Sequence, residues 1–216
     1  MLVNLDPIHR WQCSIFDFLS WLFQSVKWHL MRAWADDSAL VERCKRELPH
    51  QHAAFDALVK RYKDMVFTLC YRLAGDTAHA EDLMQEVFTK VFLNLKDFEG
   101  RSAFSSWLYR IAHNHCLNFL ARQKREQAGL AGYAEDQKLQ AATSRHAVDE
   151  PMQEVLNQLR EEPRSILIMK YVLELELVEI SAILGITLSA AKMRLLRARE
   201  EFRLLHENLE NAGGRA

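Results

Sequence analysis

The sequence predicts an all-α fold of two small helical domains joined by a flexible linker, the second of which contains a helix-turn-helix. Apolar residues recur at helical spacing along most of the 216 residues. The chain has only 7 Gly and 4 Pro, which disfavours a β-rich fold with many tight turns. Hydrophobic residues make up 49% and charged residues 26%, enough apolar material for a buried core in each of two soluble domains.

Residues 1–35 form an aromatic-rich amphipathic extension, with Trp11, Ile15, Phe18 and Leu22 at helical spacing. Its uninterrupted apolar run is too short for a membrane span, which needs about 20 apolar residues. Four interpretations stay open: a helix packed on the protein's own surface, a helix that docks a partner, an interfacial membrane helix, or a chain that starts at Met31.

Residues 36–125 are predicted to form the first domain, as four helices. Pro49 ends the first helix and Gly75 the second, while Thr77 precedes the third. The third helix presents an acidic face that includes Asp82 and Glu86. A loop at residues 97–102 then leads into the fourth helix.

Cationic residues are concentrated in two segments, although the net charge is only −1. Residues 101–125 carry five Lys and Arg and no Asp or Glu, and residues 185–203 form a second basic segment. Two basic stripes on a neutral chain are typical of a protein that contacts a polyanion at two places.

Residues 126–150 contain Gly, Ala, Gln and charged residues with too few large apolar groups for a core, so they are predicted to be the flexible linker. Pro151 and Pro163 open helices of the second domain, residues 151–208, and residues 209–216 form a flexible tail. Within this domain we predict a short helix, a turn at Gly185, and a basic helix with Ser189 as its N-cap. This pattern predicts a DNA-binding helix-turn-helix, or else an ordinary helical hairpin with a solvated basic face.

The cysteines are Cys13, Cys44, Cys70 and Cys116, and their spacing indicates neither a disulfide framework nor a zinc knuckle. A reducing cytoplasm fits this usage, and no cleavable signal peptide is apparent. The chain also has no phosphate-binding Gly-rich loop, GxSxG or HExxH.

A metal site at His113, His115 and Cys116 is the sharpest competing hypothesis. On a helix only His113 and Cys116 share a face, and no third ligand lies nearby in sequence. A metal-dependent enzyme or metal sensor is therefore kept as an alternative, which elemental analysis of the purified protein would test.

Three segments in this order, residues 80–92, 98–125 and 177–200, resemble extracytoplasmic-function (ECF) sigma factors, group 4 of the sigma-70 family. The resemblance covers about residues 37–203. It implies a cytoplasmic, non-catalytic bacterial transcription factor with no cofactor, no metal and no small-molecule substrate. Its implied partners are core RNA polymerase, promoter DNA and an anti-sigma factor that could hold it at the inner membrane, and its implied targets are stress or envelope genes.

The resemblance also assigns roles to residues of this chain. The polymerase beta-prime clamp helices would contact Asp82, Gln85, Glu86 and Phe88. The promoter −10 element would be bound and melted by Phe98, Arg101, Ser102, Arg110, Asn114, Asn118, Arg122, Lys124 and Arg125. The −35 element would be read by Thr187, Ser189, Ala190, Lys192, Met193, Arg194, Arg197 and Arg199, the last three toward phosphates or the polymerase beta flap.

This chain departs from the family pattern at both DNA-binding segments. The family typically has Asp at the position of Asn118 and a Gly-Thr-Val-like triplet at residues 189–191. The small side chains here supply few hydrogen bonds, so we expect −35 recognition to depend on DNA shape as well as on base contacts. Phe104, Trp107 and Ile111 lie one turn apart and are expected to be core residues.

A stand-alone helix-turn-helix regulator that binds a palindromic operator as a dimer is the second alternative. It would use residues 185–203, but it gives no role to the acidic face near Asp82 or to the basic stripe at residues 102–125.

Overall fold

The protein is described here from a computed structural model, which defines residues 37–130 and 150–213, with side chains for residues 37–126 and 152–209. These two ranges contain helices and no β-strand, which confirms the predicted all-α class. The helices are α1 Asp37–Glu47, α2 Ala53–Ala74, α3 Thr77–Asn94, α4 Phe104–Leu130, α5 Glu150–Gln158, α6 Glu161–Leu167, α7 Leu177–Leu184 and α8 Leu188–Gly213.

Helix α2 is the centre of the first unit, because α1, α3 and α4 all pack against it. Its predicted apolar stripe is buried, including Leu58, Val66 and Leu69. Gly75 ends α2 in the left-handed region, with φ 89°, and its N–H donates to the carbonyl of Tyr71 at 2.8 Å. One residue later, the Asp76 carboxylate caps α3 by accepting the His79 N–H at 2.9 Å.

An aromatic cluster fixes the connection between α3 and α4. After the 3-10 turn Leu95–Asp97, the Phe98 ring lies 5.8 Å from the Phe104 ring and 5.1 Å from the Trp107 ring, measured between centroids. Lys45 Nζ donates to the Phe98 carbonyl at 2.6 Å. Phe104 and Trp107 are core residues as predicted, with Phe104 buried and Trp107 half-buried.

The second unit consists of α5 to α8 and a π-helical turn, Ile168–Val172, that follows α6. A capping box begins α7, in which the side chains of Glu176 and Glu179 bind each other's backbone N–H groups. Gly185 ends α7 with φ 65°, as expected for a tight left-handed turn. The predicted helix-turn-helix is therefore present.

Three predicted boundaries were wrong. Thr187, and not Ser189, is the N-cap of α8, because Thr187 Oγ1 accepts the Ala190 N–H at 3.2 Å and Ser189 lies within the first helical turn. Helix α6 begins at Glu161, before Pro163, and α4 continues past residue 125 into the predicted linker. Residues 131–149, the N-terminal extension and residues 214–216 lie outside the described residues.

The two units pack against each other. Helix α7 lies on α4, while α5, α6 and the π-helical turn contact α2. Leu69 of the first unit and Ile166 of the second belong to the same continuous cluster of buried apolar residues.

His113 is buried on α4 with 4% of its surface exposed, and neither ring nitrogen has a hydrogen-bond partner. Burial disfavours the charged imidazolium, so it lowers the pKa of His113, and the neighbouring Asn114 only partly opposes this. The ring therefore packs as a neutral group.

Acidification should destabilise the fold through His113. Because its folded-state pKa is below the unfolded value of about 6.5, the unfolded chain takes up the proton more readily, and stability falls as the pH drops through about 6.5. Chemical denaturation at pH 7.5 and at pH 5.5 measures the free energy of unfolding. This free energy should fall more between the two pH values in the wild type than in His113→Phe. Equal losses in the two proteins would contradict this assignment.

Candidate nucleic-acid interface

A strip of exposed polar side chains runs along α4. Its members are four residues apart, so they lie on one helical face: Arg110, Asn114, Asn118 and Arg122. The opposite side of the helix carries buried Leu108, Ala112 and Cys116. At 1.5 Å per residue the strip is about 18 Å long, and it contains no carboxylate.

The remaining predicted cations of this segment are exposed, but two of them have acidic partners. Arg101 Nη2 lies 2.5 Å from Glu99, and Lys124 forms an ion pair with Glu161 of α6. Arg125 Nε donates to the carbonyl of Ala121 at 3.1 Å. Exposed pairs of this kind are weak and exchange readily with other anions.

Phe98 does not belong to this surface. It was predicted to contact DNA, but its ring is 8% exposed and packs inside the aromatic cluster. The side chain therefore supports the loop from within.

A cavity of about 170 Å³ lies beside the start of α4, between the 98–102 loop and α1. The loop contributes Ser102 to the lining. Ser105 of α4 lines it as well. Nothing in the sequence indicated that Asp37 and Ser38 also do so, because only the packing of α1 brings these two residues to the loop. Two hydrogen bonds fix the position of Asp37: its carboxylate accepts from Tyr62 Oη and, at 2.5 Å, from Arg61 Nη1.

The acidic face of α3 has the predicted geometry at three of four positions. Asp82, Gln85 and Glu86 are exposed on neighbouring turns. Phe88 is only 9% exposed and belongs to the core, so its ring is not available to a partner in this structure. Glu86 Oε2 lies 2.7 Å from His115 Nε2, and this pair joins the acidic face to α4.

The first turns of α8 expose most of the residues predicted to read the −35 element. Ala191, Leu195 and Ala198 hold the helix to the core of its unit. The exposed predicted residues are Thr187, Ser189, Lys192, Met193, Arg197 and Arg199. Ala190 and Arg194 lie at the margin, half-buried, and Arg194 Nη1 is 3.6 Å from Glu162.

Leu196 lies on this exposed face and was missed in the sequence. Its side chain is 59% exposed between Met193 and Arg197. Its position one turn after Met193 was visible in the sequence, but a leucine in an amphipathic helix is ordinarily assigned to the core.

The histidines and cysteine considered as a metal site have separate environments. His113 is buried, His115 pairs with Glu86, and Cys116 Sγ lies 3.6 Å from Cys70 Sγ. This sulfur contact and burial raise the pKa of Cys116. Within residues 37–126 and 152–209, no three His, Cys, Asp or Glu residues are grouped so that they could hold a metal ion.

None of the helices in the described ranges is both long and apolar enough to cross a bilayer.

Comparisons with known proteins match both units. Residues 58–126 match sigma-70 region 2, and residues 149–202 match sigma-70 region 4. Among curated relatives, the ECF RNA polymerase sigma factor SigW of Bacillus subtilis is 32% identical over 75% of this chain and 94% of its own length. The RNA polymerase sigma-H factor of Pseudomonas aeruginosa is 30% identical over 76% of this chain and 90% of its own.

Solved structures show the same fold. The sigma factor RpoE, in complex with the anti-sigma factor NepR from Bartonella quintana, has a TM-score of 0.59 at 21% identity and covers 71% of this chain and 96% of its own. CnrH, in complex with the cytosolic domain of CnrY, also has a TM-score of 0.59, at 20% identity, and covers 79% of this chain and 96% of its own. With regions 2 and 4 both present in order, the chain belongs to the ECF sigma factors of the sigma-70 family.

Proposed function

We propose that this protein guides core RNA polymerase to promoters by using three separate surfaces: the acidic face of α3, the strip on α4 and the exposed face of α8. The observation that carries the proposal is the acid-free α4 strip, which lies between the other two surfaces in sequence, inside the part that matches region 2. The membership of the chain in the ECF sigma factors supports polymerase and promoter DNA as its partners.

The acidic face of α3 is proposed to bind the clamp helices of the polymerase. Asp82, Gln85 and Glu86 present two carboxylates and an amide on one exposed surface, which suits a basic partner helix. Phe88 contributes indirectly, because its buried ring packs in the core and keeps α3 in place.

The α4 strip and the adjacent cavity are proposed to hold the melted non-template strand at the −10 element. Arg110 and Arg122 would bind phosphates, while Asn114 and Asn118 have amide groups suited to base edges. An unstacked base in the cavity would meet the polar groups of Asp37 and Ser102. Capture of a flipped base typically recovers about 1–3 kcal/mol of the cost of opening the duplex.

The exposed face of α8 is proposed to enter the major groove at the −35 element. Lys192, Arg197 and Arg199 would bind phosphates, with Arg194 at the edge toward the polymerase beta flap. Met193 and Leu196 are exposed apolar side chains and are suited to the methyl groups of thymines. Few hydrogen-bonding groups remain for direct base readout, which supports a contribution from DNA shape.

Catalysis is assigned to the polymerase, because sigma factors are non-enzymatic initiation factors. We place the protein in the cytoplasm, where core polymerase and the promoter are found. The structurally similar sigma factor RpoE was solved in complex with the anti-sigma factor NepR, which supports control of this chain by such an inhibitor. Stress or envelope genes are proposed as its targets, as the family resemblance implies.

A stand-alone helix-turn-helix regulator is not favoured. It would need only region 4, whereas this chain also matches region 2 over residues 58–126 and exposes the α3 and α4 surfaces.

Reconstituted transcription tests the function directly. Purified chain added to core polymerase should give promoter-dependent transcripts from a library of genomic fragments, and the two should co-elute. Core polymerase alone provides the background. Absence of both the transcripts and the co-elution would rule out the sigma function.

Charge reversal at Asp82 should weaken binding to core polymerase. Asp82→Arg places a cation against a basic partner and should raise the dissociation constant about tenfold or more, as measured by titration of labelled chain with core. Asp64→Arg is the matched control, because Asp64 is an exposed aspartate of α2 outside the acidic face. If both variants weakened core binding to a similar degree, the loss would come from the change in the overall charge of the protein and not from a contact made by Asp82.

Loss of two strip arginines should impair strand binding more than polymerase binding. For Arg110→Ala with Arg122→Ala, the slope of log affinity against log salt for a single-stranded non-template oligonucleotide should fall by about 1.4, since each phosphate contact contributes about 0.7. Open-complex formation should drop with it, while core binding stays near wild type. Lys60→Ala with Lys63→Ala, exposed lysines of α2, is the control. If this double variant lost core binding as strongly as strand binding, the division of roles between the α3 face and the α4 strip would be refuted.

A further inference from the structure

His115 of α4 contacts the acidic face of α3 from the neighbouring helix. Its Nε2 lies 2.7 Å from Oε2 of Glu86, and because an ionised carboxylate only accepts hydrogen bonds, the imidazole N–H donates. The His115 side chain is 10% exposed, whereas that of Glu86 is 58% exposed. The donor is therefore fixed by the packing around it, while the acceptor lies at the surface, where a partner can reach it.

A second contact holds the same side of α3 against α4 without help from His115. The ring of His79, in the first turn of α3, lies 4.9 Å from the Phe119 ring of α4, measured between centroids. Leu83 and Val87 are buried and attach α3 to the core. The placement of the two helices thus has other supports, so we expect loss of the imidazole to act locally.

The other polar members of the acidic face have no comparable support. Within residues 37–126 and 152–209, the exposed side chains of Asp82 and Gln85 have no hydrogen-bond or ion-pair partner, whereas Glu86 has His115. A free surface side chain samples several rotamers and loses this freedom when a partner binds, which weakens the complex. Glu86 has already lost much of that freedom in the folded protein.

The contact with His115 leaves part of the Glu86 carboxylate available. Oε2 accepts the imidazole N–H, and Oε1 has no partner among the residues that the structure describes. A carboxylate has about four lone-pair sites, so Oε1 can still accept from a lysine or arginine of a partner. The pair therefore presents a carboxylate that is both oriented and able to bind a cation.

We propose that His115 is a positioning residue for polymerase binding, which holds the Glu86 carboxylate so that it meets a cation of the polymerase without first having to be ordered. This inference rests on the proposed function, because it takes the acidic face of α3 as the surface that binds core polymerase. The polymerase-binding surface then depends on two helices, since an α4 side chain orients a residue of α3.

The test compares two substitutions of His115 in the full chain by titration of labelled protein with core polymerase. His115→Leu fills the space of the imidazole without a donor and should raise the dissociation constant about threefold to tenfold, the range expected for one side chain that must be ordered. His115→Gln keeps a side-chain N–H and should bind within about twofold of the wild type. His50→Leu, an exposed histidine outside the acidic face, is the matched control and should bind like the wild type.

A double-mutant cycle separates positioning from packing. In a Glu86→Ala chain the carboxylate is absent, so the addition of His115→Leu should cause no further loss of affinity for core polymerase. A further loss equal to that in the wild-type background would mean that the imidazole acts through helix packing, and the proposal would be overturned. A Glu86→Ala chain that binds core like the wild type, or a glutamine variant as weak as the leucine variant, would overturn it as well.

Helical circular dichroism of each variant checks that the fold is retained. If His115→Leu loses helical structure, His115→Ala replaces it in the same cycle, and the absence of a further loss in the Glu86→Ala background is again the expected result. A wild-type chain that binds core polymerase while the two substitutions weaken binding additively refutes the role of His115 alone. Failure of the proposed function is seen separately, as a wild-type chain that does not bind core polymerase at all.

Discussion

The packing of α4 is the constraint on which the functional surfaces depend. Four other helices, α1, α2, α3 and α7, contact it, so a helix with 3.6 residues per turn has only one face left for solvent. That face is the strip from Arg110 to Arg122. The same packing presses the start of α4 against α1 and the preceding loop, which forms the cavity beside Ser102. The position of one helix thus determines both the cationic track and the pocket next to it.

Helix ends contribute as much to the architecture as helix faces do. Asp76, Thr187 and the Glu176–Glu179 box satisfy the N-termini of α3, α8 and α7 with side-chain or backbone partners close in sequence. Arg164 of α6 satisfies two C-termini at once, because its guanidinium donates to carbonyls at the ends of α2 and α5. Local caps define where each helix begins, whereas Arg164 defines how two groups of helices are joined.

Much of this fold follows from periodicity, which predicted the helices, the glycine turns and the inward positions of Phe104 and Trp107. The differences from the sequence-based predictions have physical reasons. Phe88 and Phe98 were assigned to partners because of their place in a motif, and the structure buries both, since large aromatic rings are more stable in the core. The cap of α8 was misplaced because Thr187 and Ser189 are both good caps, and only backbone geometry distinguishes them.

The contact between the two units could not be predicted from the sequence. In the sequence Arg164 resembles any surface arginine of a helix. Its partners are backbone carbonyls, which every residue has, so the residue types of the partners do not indicate the contact. The cavity lining was hidden for a related reason, since Asp37 lies far from Ser102 in sequence. Contacts made through the backbone or between distant segments are those that a one-dimensional pattern cannot show.

The near-zero total charge has a consequence for how the protein searches for its sites. Two local stripes carry an excess of cations on a chain with a net charge of −1, so the molecule as a whole has little attraction for distant DNA. The fields of the stripes fade within a Debye length of about 8–10 Å at physiological salt. Bulk chromosomal DNA is therefore a poor competitor for the free protein, and a partner must deliver the stripes to within a few ångströms of a promoter before they act.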